Sequence, residues 1–309
     1  LWNLAFSRNP TQSELAAAQL HVMNQSTHFK KLQDPRKTSE RVLSVKELLE
    51  NIPRAKLGLW LRADEGVQLD EQGRVMFWRD QSPNTTDHLH KHHASQANPT
   101  HRPLFQAKGI HGHASMMFDG NDDFLNVAGQ AIWKPQFSII AVVSQNSTGT
   151  GAREIISNWH RRGRSTNSVF LGTTGTNNVR VSDAFSPAGI LTEPNRPFIL
   201  TAINSNTQAS TFQNSTLLAT QAALTPRVLA APYVIGTQGN YGSEFWCGNI
   251  AELLVFDHPL NQQDRNAVWS YLQIKYQLAV KPSRKTADHL ALASLCHVIL
   301  NTNEFIFID

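Results

Sequence analysis

The sequence is short of cysteine, of charge imbalance and of long apolar runs. Only Cys247 and Cys296 are present, too few for a disulfide framework and without a zinc-binding spacing. Net charge is +4 and the pI about 9.1. Lysines and arginines are scattered, apart from His160-Arg161-Arg162-Gly163-Arg164 and the run Lys281 to Lys285, so no nucleic-acid partner is expected. No transmembrane span and no basic-then-apolar leader are visible. The first residue is Leu1 rather than methionine, so the chain reads as a piece of a longer polypeptide whose upstream domains are missing. Catalytic signatures are lacking too: there is no G-x-S-x-G and no G-x-x-x-x-G-K. No strand carries carboxylates two residues apart, the spacing that brings an acid and a nucleophile onto one face. Glu252 and Asp257 lie five apart and point to opposite faces. The chain is therefore expected not to be an enzyme. Cys296-His297 could end a C-x-x-C-H haem attachment, but Ala293 stands where the first cysteine is needed, so no haem is expected.

What is present is a long series of short strand signals. The chain has 309 residues, 40% of them hydrophobic and 17% charged, enough for one large domain and a smaller one. Ser115 to Val143 is the clearest stretch. Met116 to Phe118 and Phe124 to Val127 flank Asp119-Gly120-Asn121-Asp122-Asp123, which reads as strand, tight turn, strand. Phe137 to Val143 is apolar at both parities, as in a strand covered on both faces. Further strands are read at 57–62, 75–79, 154–159, 168–172, 178–182, 197–204, 209–213, 233–236 and 245–256, separated by Gly, Asn, Ser and Thr. After the last strand, Asn261 with Asp264 caps a helix to about Leu278, whose Val268, Tyr271 and Leu272 share a face laid against the sandwich.

F-D-G-N-D-D-F-L at Phe118 to Leu125 resembles the signature of laminin-G-like domains in the concanavalin A-like lectin/glucanase superfamily. Leu59-Trp60-Leu61-Arg62-Ala63-Asp64, with Trp78-Arg79-Asp80-Gln81-Ser82 after it, resembles the opening of that family's bacterial branch. Gly248-Asn249-Ile250-Ala251-Glu252-Leu253-Leu254-Val255-Phe256-Asp257 resembles its closing strand. The resemblance implies a mainly β fold, a two-sheet antiparallel jelly-roll sandwich with flanking helical segments. It also implies a carbohydrate or protein ligand outside the cytoplasm, periplasmic or at the cell surface.

Both ends read as helical. Thr11 with Glu14 is a capping box before the apolar stripe Leu15, Ala18, Leu20, Val22 and Met23, expected to be core. Thr286 to Leu300 is amphipathic. Ser7-Arg8-Asn9-Pro10-Thr11-Gln12-Ser13-Glu14 and the closing Leu300-Asn301-Thr302-Asn303-Glu304-Phe305 resemble the C-terminal part of a planctomycete cytochrome-associated domain of unknown function. The expected organisation is therefore a helical segment over 1–50, a laminin-G-like jelly roll with its closing helix over 51–280, and a second helical segment over 281–309. The sandwich would be inserted into a split helical domain whose first and last helices pack on each other.

The acidic turn offers Asp119, Asn121, Asp122 and Asp123 as calcium ligands, since calcium takes several hard oxygens at about 2.3–2.6 Å. The same residues suit a turn without metal, by bonding to local backbone amides. Seven of the 13 histidines fall between His88 and His113, in what reads as an exposed polar loop; His88, His90 and His92 would share a face if extended. Trp60, Trp78 and Trp246 are expected in the core. Trp133 and Trp159 lie near loops, where an indole can cap the core or stack on a sugar ring. The function expected is a non-catalytic module binding polysaccharide or protein, and the alternative is a structural or assembly insert with no small ligand.

Overall fold

The computed structural model describes residues 2, 7–32, 43–83, 91–146, 151–162, 165–167, 169–182, 185–225, 229–239, 242–278 and 287–300. The chain divides into two compact units, Leu1–Leu43 with Ala279–Asp309, and Ser44–Leu278. No helix among the described residues is long and apolar enough to cross a membrane.

The smaller unit contains α1 (Gln12–Leu32) and, from the end of the chain, a helix over Ala287–Leu300. Thr11 caps α1 as its spacing predicts: its Oγ1 accepts from the Glu14 amide at 3.3 Å, and Glu14 accepts from the Thr11 amide at 2.7 Å. The two helices pack on each other, with His21 Nε2 3.1 Å from Ser294 Oγ and Ser26 donating to Asp288. The apolar stripe is only partly core. Ala18 is buried, whereas Leu15, Leu20 and Met23 are exposed, because a helix packed on one neighbour covers one narrow face.

The larger unit begins with α2 (Val45–Glu50), closed by a reciprocal box between Ser44 and Glu47. Leu48 of this helix packs in the sandwich unit, so the short helix groups with the sandwich rather than with the first helical segment. The strands follow as β1 (Leu57–Arg62), β2 (Val67–Leu69), β3 (Val75–Trp78), β4 (Ala94–Ser95), β5 (Leu104–Ile110) and β6 (His113–Asp119). Next come β7 (Leu125–Val127), β8 (Phe137–Gln145), β9 (Ala152–Ser157), β10 (His160–Arg162), β11 (Ser165–Asn167) and β12 (Phe170–Thr174). The last are β13 (Val179–Arg180), β14 (Phe198–Asn204), β15 (Gln208–Gln213), β16 (Thr216–Ala222), β17 (Val234–Ile235) and β18 (Cys247–Phe256), then α3 (Gln262–Lys275); the final helix of the smaller unit is α4.

Two eight-stranded antiparallel sheets result. The first runs β16-β15-β14-β8-β18-β6-β5, with β1 also on β18; the second runs β13-β12-β9-β17-β7-β4-β3-β2. The two-sheet sandwich expected from the sequence is present. β18 organises the first sheet. One edge pairs with β8, and the other is divided between β6 at Cys247–Ile250 and β1 at Glu252–Phe256, with a register shift at Ala251.

β8 shows why both of its parities are apolar. Ile139, Ala141 and Val143 face the core between the sheets with Phe118, Trp78 and Trp246. Ile140 and Val142 face outward, under Val268, Trp269 and Leu272 of α3. A 14-residue helix is marginal alone, and burying side chains such as Val268 and Leu272 contributes about 1.5–3 kcal/mol each.

Strand, turn and strand stand at the acidic turn as the sequence predicts, but the two strands do not pair with each other. β6 belongs to the first sheet and β7 to the second, so Asp119 to Asp123 is a corner at which the chain crosses between sheets. That crossing draws Asp123 into the rim of the core.

Candidate functional site

The acidic corner is held by its own hydrogen bonds. Asp119 Oδ1 accepts from the Asn121 amide at 2.9 Å and the Asp122 amide at 3.3 Å, and Asp123 Oδ2 accepts from the Asp119 amide at 3.0 Å. Gly120 has φ +83°, and a Cβ there would lie 2.7 Å from Cys247 Cβ, so glycine is required at the corner. Carboxylate oxygens of Asp119, Asp122 and Asp123 come within 4.8 Å of one another. Asn121 instead turns its amide to Asp119 Oδ2 at 3.2 Å, so three of the four expected ligands converge and the fourth supports them.

Asp123 is the unusual member. It is buried, and its Oδ1 accepts no hydrogen bond; the nearest cation is Arg74 Nη1 at 3.7 Å. Burial, helped by the charges of Asp119 and Asp122 and opposed by the Asp119 amide and Arg74, pushes its carboxyl up to about 6. Hydrogen bonds from Asn121 and Asp122 hold Asp119 below its usual value despite its own partial burial. His101 Nδ1 stands 3.2 Å from Asp122 Oδ2. A buried carboxylate oxygen without a donor, facing two further carboxylates, fits a hard cation such as calcium.

A second cluster was not visible in the sequence. Cross-strand partners share a face of a sheet. Leu171 and Ile156 pair and enter the core, whereas Gly172 pairs with both Glu154 and Arg180, and Phe170 with Ser157. Glu154, Arg180, Phe170 and Ser157 therefore lie on the outer face of the second sheet. The row continues through Val234, Asn126, Ser95 and Phe77.

Glu154 is wholly buried, and neither carboxylate oxygen accepts a hydrogen bond. Arg180 Nη1 is 3.7 Å from its Oε1, donates to Glu244 and stacks on the Phe170 ring at 4.9 Å. The Glu154 amide donates to the Glu244 carbonyl at 2.9 Å, which brings the two glutamates together. Burial raises the Glu154 carboxyl well above the usual range; the Glu244 charge adds to this, and Ser157 and Arg180 oppose it. Two acceptor-only carboxylates are relieved by one proton between them, which supplies the missing donor. The one signal in the sequence is a glutamate directly before the apolar pair Ile155-Ile156 of a strand.

The tryptophans do not join either cluster as platforms. Trp159 is 9% exposed, so its indole offers no open face, in keeping with the core-capping alternative. Trp133 is 41% exposed, and its amide and that of Lys134 donate to Asp257 Oδ1 at 2.9 and 3.0 Å. Asp119 pairs with Cys247 at the other end of the ten-residue β18, which puts Trp133 about 30 Å from the acidic corner. Of the histidines, His88 and His90 lie outside the described residues. His92 is buried with Nδ1 2.7 Å from the Ala128 carbonyl, and His93 Nδ1 accepts from the Asp80 amide at 3.0 Å, so both serve the fold. Neither Cys247 nor Cys296 is part of a disulfide.

Among solved structures the chain matches Trypanosoma rangeli sialidase in complex with 2,3-difluorosialic acid at TM-score 0.50 and 14% identity, over 73% of this chain and 34% of that one. It matches the same sialidase with the inhibitor DANA at TM-score 0.49 and 13% identity, over 81% and 38%. A Ruminococcus gnavus IT-sialidase CBM40 bound to α2,6-sialyllactose matches at TM-score 0.34 and 14% identity, over 44% and 82%. The chain thus spans about a third of the sialidase chains it matches. No family model matches it, and no curated protein does.

At this identity the likeness shows the fold, a sandwich of a kind found within a sialidase. The expectation that the chain is not an enzyme is overturned, because the chain shares its fold with part of a sialidase. Its premise fails as well. Strand spacing finds only carboxylates along one strand, whereas Glu154 comes from β9 and Glu244 from the loop before β18, and both face Arg180.

Proposed function

We propose that the sandwich binds carbohydrate on the outer face of its second sheet, in a protein located outside the cytoplasm. One observation carries this reading. Both α-helices described in the larger unit, α2 and α3, cover the first sheet, while the outer face of the second presents Asn126 and Ser95 at the surface beside the half-buried Phe77. Polar groups beside a ring on a sheet face that no helix covers suit a polyhydroxylated ligand. The sialidase of like fold is seen with 2,3-difluorosialic acid, a sugar derivative, which agrees with this reading. Kinship with laminin-G-like domains rests on Phe118 to Leu125 and the two flanking motifs. That of the helical ends with the planctomycete domain rests on their short motifs alone.

Asp119, Asp122 and Asp123 would hold calcium, whose charge would offset the crowding of three carboxylates at the corner. Calcium at about 100 times its dissociation constant should stabilise by about 2.7 kcal/mol, a rise of about 5–10 °C in melting temperature for a domain of this size. The rise should be present at neutral pH and fade as pH falls below about 6, where Asp123 takes a proton. The sign is fixed by the raised carboxyl. Without calcium, stability from protonated Asp123 is full below the ordinary value of 3.8 and lost as pH rises to about 6; calcium restores it above that.

The test is a polysaccharide array probed with the full chain, in calcium and in chelator, beside thermal melts. Glycan binding with a calcium-dependent melt supports both parts. Absence of binding to any polysaccharide sinks the carbohydrate reading, and a melt indifferent to calcium at neutral pH sinks the metal.

A further inference from the structure

The helix-covered face of the first sheet carries a cation without an anion. β14 and β15 pair Ile203 with Ser210 and Thr201 with Phe212, and these side chains share the face on which α3 lies. Arg265, the fourth residue of α3, stands over the Phe212 ring at 5.2 Å and the Trp269 ring at 5.6 Å. The rings hold the guanidinium against the sheet, yet it forms no ion pair and no hydrogen bond among the described residues, and its buried Nε has no acceptor. The adjacent carboxylate is turned elsewhere: Asp264 accepts from the Asn261 side chain at 2.7 Å, within the helix cap. A cation in the first turn opposes the helix dipole, whereas an anion brought there is favoured by it.

Arg265 forms one wall of a cleft of about 130 Å³ whose apolar lining is Ile203, Phe212, Pro259 and Leu260. No carboxylate lines it. Ser205 is fully engaged, accepting from the Thr207 and Gln208 amides and donating to the Gln208 carbonyl. Ser210 donates to Gln208 Oε1 at 3.4 Å, which leaves the Gln208 side-chain amide as a second donor at the cleft.

We propose that this cleft binds a short-chain monocarboxylic acid. The carboxylate would accept two parallel hydrogen bonds from the Nη ends of Arg265 and one from the Gln208 amide, and the alkyl tail would lie on Ile203, Phe212 and Leu260. The cleft is smaller than the roughly 300–1,000 Å³ of pockets for drug-sized ligands, so it suits a group of a few heavy atoms. One guanidinium matches one negative charge. Phosphate or sulfate would set further oxygens against the apolar lining without donors. This site is separate from the sugar face, which belongs to the other sheet.

The experiment is an NMR titration of the full chain with butyrate, glucuronate, inorganic phosphate and sulfate, read at the Trp269 indole N–H. Butyrate should shift this resonance saturably, with a Kd of about 1–10 mM in wild type. Arg265→Gln should raise the Kd by about 10-fold or more, and Arg265→Lys should also weaken binding, since it keeps the charge but not the planar fork. Ser210→Leu fills the cleft while leaving Arg265 in place and should abolish the shift. Melting temperatures of the unliganded variants check that a loss of binding is not a loss of fold. Butyrate binding that is unchanged in Arg265→Gln and Ser210→Leu overturns the site. Tighter binding of phosphate or sulfate overturns the carboxylate class, and tighter binding of glucuronate overturns the apolar tail. No saturable shift at butyrate concentrations about ten times the expected Kd overturns the inference and leaves the carbohydrate reading intact.

Discussion

Replacing Glu252 by alanine is expected to lower the melting temperature by about 10 °C. Glu252 is wholly buried on the helix-facing side of β18. Its Oε1 accepts from Trp60 Nε1 at 2.7 Å, and its Oε2 accepts from Lys275 Nζ and Tyr276 OH, both at 2.8 Å. Lys275 is almost as buried and also reaches Asp64, at 3.1 Å. One carboxylate thus ties β1, β18, the last turn of α3 and the residue after it. Alanine would leave the Lys275 ammonium facing two tyrosine hydroxyls with only the partly exposed Asp64 for compensation. Breaking a buried ion pair in this way costs about 3–5 kcal/mol.

Calorimetry of three variants separates charge from packing. Glu252→Gln keeps an acceptor for Trp60 or Tyr276 and should lose less than alanine. A double change of Glu252→Leu with Lys275→Met removes both charges and should recover most of the loss, because a buried pair is close to neutral against apolar residues of similar size. Equal losses in all variants would mean that the shape of the side chain, and not its charge, holds α3 to the sheet. Burial, with Glu252 alongside, raises Tyr276 and Tyr271 well out of their usual range, so both remain donors throughout the measurable pH range.

Why Glu252 and Glu154 escaped a reading of the sequence, while β8 and β18 did not, is a matter of which physical signal is local. A strand covered on both faces must be apolar at both parities, and Phe137 to Val143 declares this within seven letters. Edge strands declare nothing comparable. β5 and β16 stand at opposite ends of the first sheet with mostly part-exposed side chains, so Leu104–Ile110 and Thr216–Ala222 show no clean alternation and were not read as strands. The acidic corner was legible as a turn because Asp, Gly and Asn are turn formers. Its crossing between sheets was not, since a hairpin and a corner require the same residues and differ only in what β6 and β7 pair with far along the chain. Three carboxylates within five residues could be foreseen as neighbours, but the orphaned oxygen of Asp123 depends on the rim built around it. Glu154, Arg180 and Glu244 come from two strands and a loop, and no spacing rule connects them. A glutamate next to apolar strand residues marks Glu154, before Ile155-Ile156, and Glu252, within Ala251-Glu252-Leu253-Leu254, because a charge is carried into a core only where a partner meets it.

Glu154→Gln is expected to leave stability nearly unchanged in acid and to raise it at alkaline pH, by about 1–3 kcal/mol or roughly 5 °C. The direction follows from the raised carboxyl. In the wild type, the contribution of protonated Glu154 is full below the ordinary value of 4.5 and is lost as pH rises through the higher value it has in the fold. Ionised, it faces Glu244 with no donor to either of its oxygens, and Arg180, already engaged by Glu244, stands 3.7 Å away. Glutamine does not titrate, and its amide can donate to Glu244 as the protonated acid does. Alanine should behave differently, since it removes the donor and the volume together, and it should be less stable than glutamine at every pH. Melts should be read above pH 7 and in calcium, because Asp123 loses its own proton near pH 6 and would otherwise add a decline of the same sign. Parallel curves for wild type and Glu154→Gln from neutral to alkaline pH would show that Glu154 is already ionised, and the shared proton between the two glutamates would have to be abandoned.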